Sequence, residues 1–248
     1  MRCCIDINTK IKLFFLVFIQ VLSLFILVSP AASRRKEPVV RSVKYTIAEN
    51  DRILFIGDSS TLQGSTSEHG FVNDFEVEVK RQFPNVNIFN GGGNYENKLI
   101  HTSVLNGQLI KHFKPTKIIM VSGNKQFVNG SQTNPVILRK ETELIMAAVL
   151  GTSIPFIFCS TLPYGERVDG SNEMNIVLEE FVGMTTRVAK DFKAMHIDLF
   201  SQYYKFLEKA NIDNLMSSVL TYNQTVLNPV GHKLVATVLL KVCVMFPY

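Results

Sequence analysis

The chain has 248 residues, 46% of them hydrophobic and 19% charged, with a formal net charge of +5 at pH 7. That length and composition allow one large globular domain or two small ones. No period of about 20–50 residues recurs, which argues against a repeat architecture. No basic stripe is interleaved with aromatics, so the positive charge does not describe a nucleic-acid surface.

Part of the basic excess sits near the start, at Arg2, Lys10, Lys12, Arg34, Arg35 and Lys36. Leu13 to Val28 is a near-continuous apolar run, broken only by Gln20 and Ser23 and followed by Ser29-Pro30-Ala31-Ala32-Ser33. A basic start, an apolar centre and small residues after it describe a secretory signal peptide over residues 1–33. The run falls short of the roughly 20 apolar residues of a membrane span. Arg34-Arg35-Lys36 beyond it also disfavours a type II anchor, since positive charge prefers the cytoplasmic side. An uncleaved anchor is the alternative, and only that would attach the protein to a membrane. In both cases the remaining chain is expected in the secretory pathway, secreted or lumenal. Asn129-Gly130-Ser131 and Asn223-Gln224-Thr225 agree, as acceptor triplets for N-linked glycans.

Cys3 and Cys4 fall in the targeting segment, which leaves Cys159 and Cys243. These two could pair in an oxidising compartment. Cys159 closes an apolar run and reads better as a small core residue. No Cys/His cluster has zinc spacing, so no metal or cofactor is expected.

Residues 34–50 form a polar lead-in, and one domain is expected over residues 51–248. Ile53 to Ile56 is a fully apolar run, the pattern of a strand buried on both faces. It stops at Gly57-Asp58-Ser59, residues suited to a sharp turn. Gly70 to Phe83 carries Val72, Phe75, Val79 and Phe83 near helical spacing, and Pro84 ends it. Val86 to Phe89 reads as a second strand, and Asn90-Gly91-Gly92-Gly93-Asn94 as a flexible loop. A helix is expected over Asn97 to Phe113 and a third strand over Lys117 to Val121, ending at Ser122-Gly123-Asn124. Asn134 to Leu150 reads as a helix with Pro135 in its first turn, and Ile154 to Phe158 as a fourth strand. Ser171 to Phe192 is a long helix, His196 to Leu199 a short fifth strand, and Phe200 to Ala210 a helix. Asn228 and Pro229 open the last helix as N-cap and first residue.

Strands separated by helices imply right-handed crossovers and a parallel sheet covered on both faces. The expected fold is therefore a three-layer α/β/α domain with five parallel strands in the flavodoxin-like order. Strands one and three then flank the switch point where such sheets bind ligands. Ser59 and Asn124 would face one crevice there, bordered by the glycine loop.

With these blocks in place, the chain resembles the SGNH, or GDSL, hydrolase superfamily of esterases and lipases, from Arg52 to Leu240. Ile-Leu-Phe-Ile-Gly57-Asp58-Ser59 is similar to the family's nucleophile block, which implies Ser59 as nucleophile and its N–H as an oxyanion donor. Asn90 to Asn94 resembles the loop with the glycine oxyanion donor, which places Gly93 there with one residue deleted and Tyr95 without a gap. Ser122-Gly123-Asn124-Lys125 resembles the Gly-x-Asn-Asp block and implies Asn124 as the third donor, with Lys125 in place of the acid.

The last block departs from the pattern. The family carries Asp-x-x-His and then Pro-x-x-Gly-His, and here only Pro229-Val230-Gly231-His232 stands. Counting back puts Asn223 at the aspartate position and Val226 at the histidine position. A serine hydroxyl is a weak nucleophile unless an adjacent base takes its proton, and valine cannot. His232 or His69 could substitute, or the substrate could bring its own base. Two functions follow from the resemblance. One is a catalytically impaired protein whose pocket binds an acylated small molecule, lipid or glycan. The other is an active carboxylester hydrolase with a displaced histidine. A domain with no ligand at all is a third reading.

Overall fold

A computed structural model of the chain describes residues 46–93, 107–121 and 135–244. The segment Leu13 to Val28, Asn124, Asn129 and the first part of the helix expected from Asn97 lie outside the described residues. The described elements belong to one compact unit, residues 42–248. In chain order they are β1 (Arg52–Gly57), α1 (Ser59–Thr66), α2 (Phe71–Gln82), β2 (Asn87–Asn90), α3 (Gln108–Phe113) and β3 (Lys117–Val121). There follow α4 (Pro135–Leu150), β4 (Phe156–Cys159), α5 (Glu173–Asp191), β5 (Met195–Ile197), α6 (Leu199–Ala210) and α7 (Pro229–Cys243). Among the described residues no helix is long and apolar enough to cross a membrane.

The strands form one sheet in the order β2-β1-β3-β4-β5, with every neighbouring pair parallel. This is the flavodoxin-like order expected from the alternating pattern, and the crossover between β2 and β3 reverses direction beside β1. Because side chains alternate along a strand, each strand feeds two cores. Ile53, Phe55, Ile119, Val121 and Ile157 point into the core shared with α2, α6 and α7. Leu54, Ile56, Ile118, Met120 and Phe158 point into the core shared with α4 and α5. Phe55 makes edge-to-face contacts with Phe71 and Phe75 of α2, at ring separations of 6.2 and 5.3 Å.

At the amino ends of β1 and β3, Lys117 Nζ lies 2.5 Å from Asp51 Oδ2, and both side chains are nearly buried. Asp51 also accepts from the Thr116 hydroxyl and the Ala48 N–H. This polar cluster ties the lead-in to the sheet, at the end opposite Ser59.

Several details differ from the sequence reading. The helix expected from Asn97 to Phe113 does not run through Gly107, whose left-handed φ of 65° precedes the start of α3 at Gln108. β5 is Met195–Ile197, not His196 to Leu199, because the Asp198 side chain caps α6 from Leu199. The turn after Gly57 continues directly into α1, whose residues show no apolar periodicity. β4 begins at Phe156, after Pro155, which has no N–H to donate to a ladder. α5 begins at Glu173 because the Asn172 side chain accepts from the Met174 N–H and caps it there. Cys159 and Cys243 are both buried in the α7-side core as free thiols. Burial pushes the Cys243 thiol up to about 12, and burial together with Cys243 pushes Cys159 well up.

Candidate active site

β1 ends at Gly57, paired with Val121 at the end of β3. α1 starts two residues later and folds back over that end. A side chain on Gly57 would place its Cβ 2.0 Å from Thr61 Oγ1 and 2.6 Å from the Val121 carbonyl. Close approach, not an unusual φ, is what demands glycine here. Asp58 is the N-cap of α1, and its Oδ1 accepts from the Ser60 N–H at 2.8 Å. Ser59 is thus the first helical residue, at the positive end of the helix dipole and at the carboxyl edge of a central strand. It is 2% exposed, and its Oγ has no hydrogen-bond partner among the described residues.

The glycine loop borders this helix start. The Gly91 N–H donates to the Phe55 carbonyl at 2.7 Å and the Gly93 N–H to the Gly57 carbonyl at 3.3 Å, extending the β1–β2 ladder. Gly93 is therefore beside the Gly57-Asp58-Ser59 turn, but its N–H is engaged along the sheet edge. It would have to release Gly57 to serve an oxyanion. Gly92 lies against α1, where an added Cβ would meet the Leu62 nitrogen at 2.5 Å. Asn90 clamps the two segments: its Oδ1 accepts from the Gly92 N–H, and its Nδ2 donates to the Thr61 carbonyl and Ser65 Oγ. Sequence reasoning gave Asn90 no role beyond the loop. The other proposed donor, Asn124, follows β3 outside the described residues.

The loop leading into α7 is fully built. Glu166 is completely buried, and its carboxylate accepts from the N–H groups of Val219, Leu220 and Thr221 and from the Thr221 hydroxyl. Asn211 Nδ2 holds the Glu166 and Leu215 carbonyls from the other side. Beyond this clasp, Thr221 and Leu227 form an antiparallel bridge, and the Tyr222 N–H donates to the Val226 carbonyl at 2.8 Å. Inside that loop Asn223 Oδ1 accepts from the Val226 N–H at 3.1 Å and the Thr225 hydroxyl at 3.3 Å. The positions that the resemblance gives to Asp and His are thus occupied by a turn-capping amide and an aliphatic side chain. Sequence inspection passed over Glu166, because a lone glutamate between loop residues looks like a solvated one.

His232 is 3% exposed in the first turns of α7. Its Nδ1 accepts from the Phe71 N–H at 3.3 Å, at the start of α2, and its ring stacks on Phe71. It makes no hydrogen bond to Ser59, so the substitute base suggested for it is instead a helix-joining acceptor. His69 is exposed in the turn before α2 and has no described bond to Ser59 either. Burial pushes the His232 imidazole down to about 4, with Asp74 opposing. Burial also lowers His196, which stacks on Phe158 at 5.9 Å, with Asp198 opposing.

No protein-family model matches the chain, and no curated protein matches it. Solved structures do. An acetyl xylan esterase superposes with a TM-score of 0.69 at 21% identity, covering 76% of this chain and 98% of its own. An alpha/beta hydrolase enzyme from the metagenome of Lake Arreo, Spain, gives 0.65 at 18% identity, over 80% of this chain and 97% of its own. An acetylxylan esterase from Geobacillus stearothermophilus gives 0.64 at 15% identity, over 79% of this chain and 95% of its own. Matching structures of that enzyme are described as catalytic mutants at a serine, an aspartate and a histidine. At these identities the likeness defines the fold: this chain has the three-layer α/β fold of those esterases.

Two outcomes test this geometry. Gly57→Ala should lower stability by about 1–3 kcal/mol in denaturant unfolding, the usual cost of overpacking, because Thr61 and the Val121 carbonyl leave no room. A full-stability alanine variant would contradict the close approach. For His232, a folded value of about 4 lies below the ordinary value of about 6.5. Its contribution is complete above about pH 6.5 and is lost as pH falls toward 4. The denaturation midpoint should therefore fall across that window, and less steeply in His232→Asn. An identical slope in the variant would rule out His232 as the titrating group.

Proposed function

We propose that the protein is a secreted or lumenal SGNH hydrolase-like protein that keeps a crevice for acyl esters and lacks efficient ester hydrolysis. One observation carries the reading: Val226 stands where the resemblance requires the general base, in a loop held closed by its own hydrogen bonds. The Ser59 Oγ, unpartnered among the described residues, supports it. Loss of triad members in serine hydrolases leaves about 10³–10⁴-fold acceleration over water, from the oxyanion hole and binding alone. Such a site favours occupancy over turnover. The acetyl xylan esterases among the matching structures support a small acyl group on a saccharide as ligand, within the wider class of acylated small molecules, lipids and glycans. Membrane attachment would come only from an uncleaved N-terminal segment.

The test is hydrolysis of an activated acetyl ester by wild type, Ser59→Ala and the Asn223→Asp/Val226→His double variant. Wild type and Ser59→Ala should be indistinguishable. The double variant should gain on the order of 10²-fold or more, the usual scale of general-base assistance, and adding Ser59→Ala should abolish the gain. Ser59-dependent turnover in wild type, with a pH limb near about 6.5, would instead identify an active carboxylester hydrolase with a histidine recruited from elsewhere.

A further inference from the structure

Asn223 opens the triplet Asn223-Gln224-Thr225, and its side chain is divided between two tasks. Both of its described hydrogen bonds fall on Oδ1, from the Val226 N–H and the Thr225 hydroxyl. Its Nδ2, the atom to which an N-linked sugar attaches, donates to no described residue. The residue is exposed, and Tyr222 beside it is 65% exposed. Gln224 takes a left-handed φ of 71° that turns the chain back, and its carbonyl accepts from the Gly165 N–H. By contrast Asn90, Asn172, Asn211 and Asn228 all use Nδ2 as a structural donor. A modification at Nδ2 would dismantle those contacts, and at Asn223 it would break none of the described ones.

We infer that Asn223 carries an N-linked glycan, placed on the loop position that the esterase resemblance gives to a catalytic aspartate. The donor class is an oligosaccharide on a lipid diphosphate. The Asn223 Nδ2 to sugar C1 bond forms, the C1 to phosphate-oxygen bond breaks, the lipid diphosphate leaves, and one amide proton passes to the transferase's base. Oδ1 remains an acceptor, so the turn that Asn223 caps survives glycosylation. The saccharide then projects from the loop entering α7, beside the exposed Tyr222 ring. The inference requires the N-terminal segment to deliver the chain to the lumen. It is independent of whether Ser59 hydrolyses anything.

The full chain is expressed in a eukaryotic secretory cell, and the protein is treated with peptide-N-glycosidase in heavy-oxygen water. That enzyme converts a glycosylated Asn to Asp and leaves the isotope as a mark. The expected result is the mark at residue 223, lost in Thr225→Ala and kept in Thr225→Ser. The conservative serine variant separates loss of the acceptor hydroxyl from loss of folding. An unmarked Asn223 overturns the inference, whether the protein is secreted or is found untranslocated in the cytosol. Ester hydrolysis measured on the same preparation reports separately on the proposed function.

Discussion

The arrangement of this domain's candidate site depends on a place where there is no side chain. Gly57 lets α1 fold back across the ends of β1 and β3, with Thr61 and the Val121 carbonyl filling the space a Cβ would take. Asp58 fixes the first turn by capping it, and Ser59 is carried to the strand edge as a result. Gly92 repeats the device on the other side, and Asn90 ties its loop to α1 through two hydrogen bonds from Nδ2 while its Oδ1 holds the Gly92 N–H within the loop. The serine is therefore positioned by packing and backbone geometry.

A second centre of order lies in Glu166. A buried carboxylate is costly unless its oxygens are satisfied, and here three amides and a hydroxyl of residues 219–221 satisfy them. The loop this clasp organises is the one on which a hydrolase of this fold is expected to carry its base and its aspartate. What remains there is a capped turn, with Asn223 Oδ1 holding the Val226 amide. His232, next in the chain, is spent on joining α7 to the start of α2. The scaffold is therefore kept, while the positions to which the resemblance assigns the aspartate and the histidine hold Asn223 and Val226.

Much of the fold was legible in the sequence, because buried parallel strands are written as short apolar runs. Ile53 to Ile56, Lys117 to Val121 and the Phe156 to Phe158 part of the run expected from Ile154 each lie at the sheet centre, as their composition required. α1 was not legible, since Ser-Ser-Thr-Leu-Gln-Gly-Ser-Thr has no helical apolar stripe. Its conformation comes from the Asp58 cap and from contacts with residues far along the chain. The same holds for Glu166, whose partners are 53–55 residues away, and for His232, whose partner is 161 residues away. Ser59 was found because its motif is local, while the burial of its hydroxyl without a hydrogen-bond partner among the described residues is visible only in three dimensions.

The most direct test of an unactivated serine is covalent labelling with a fluorophosphonate at neutral pH, read by mass spectrometry of the peptide containing Ser59. Wild type should remain unlabelled, while the chain with aspartate at 223 and histidine at 226 should form the adduct on Ser59. That contrast would show that the crevice admits the reagent and that only the base is missing. A rapid adduct on Ser59 of the wild-type chain would contradict this, and would mean that a base reaches the hydroxyl after all.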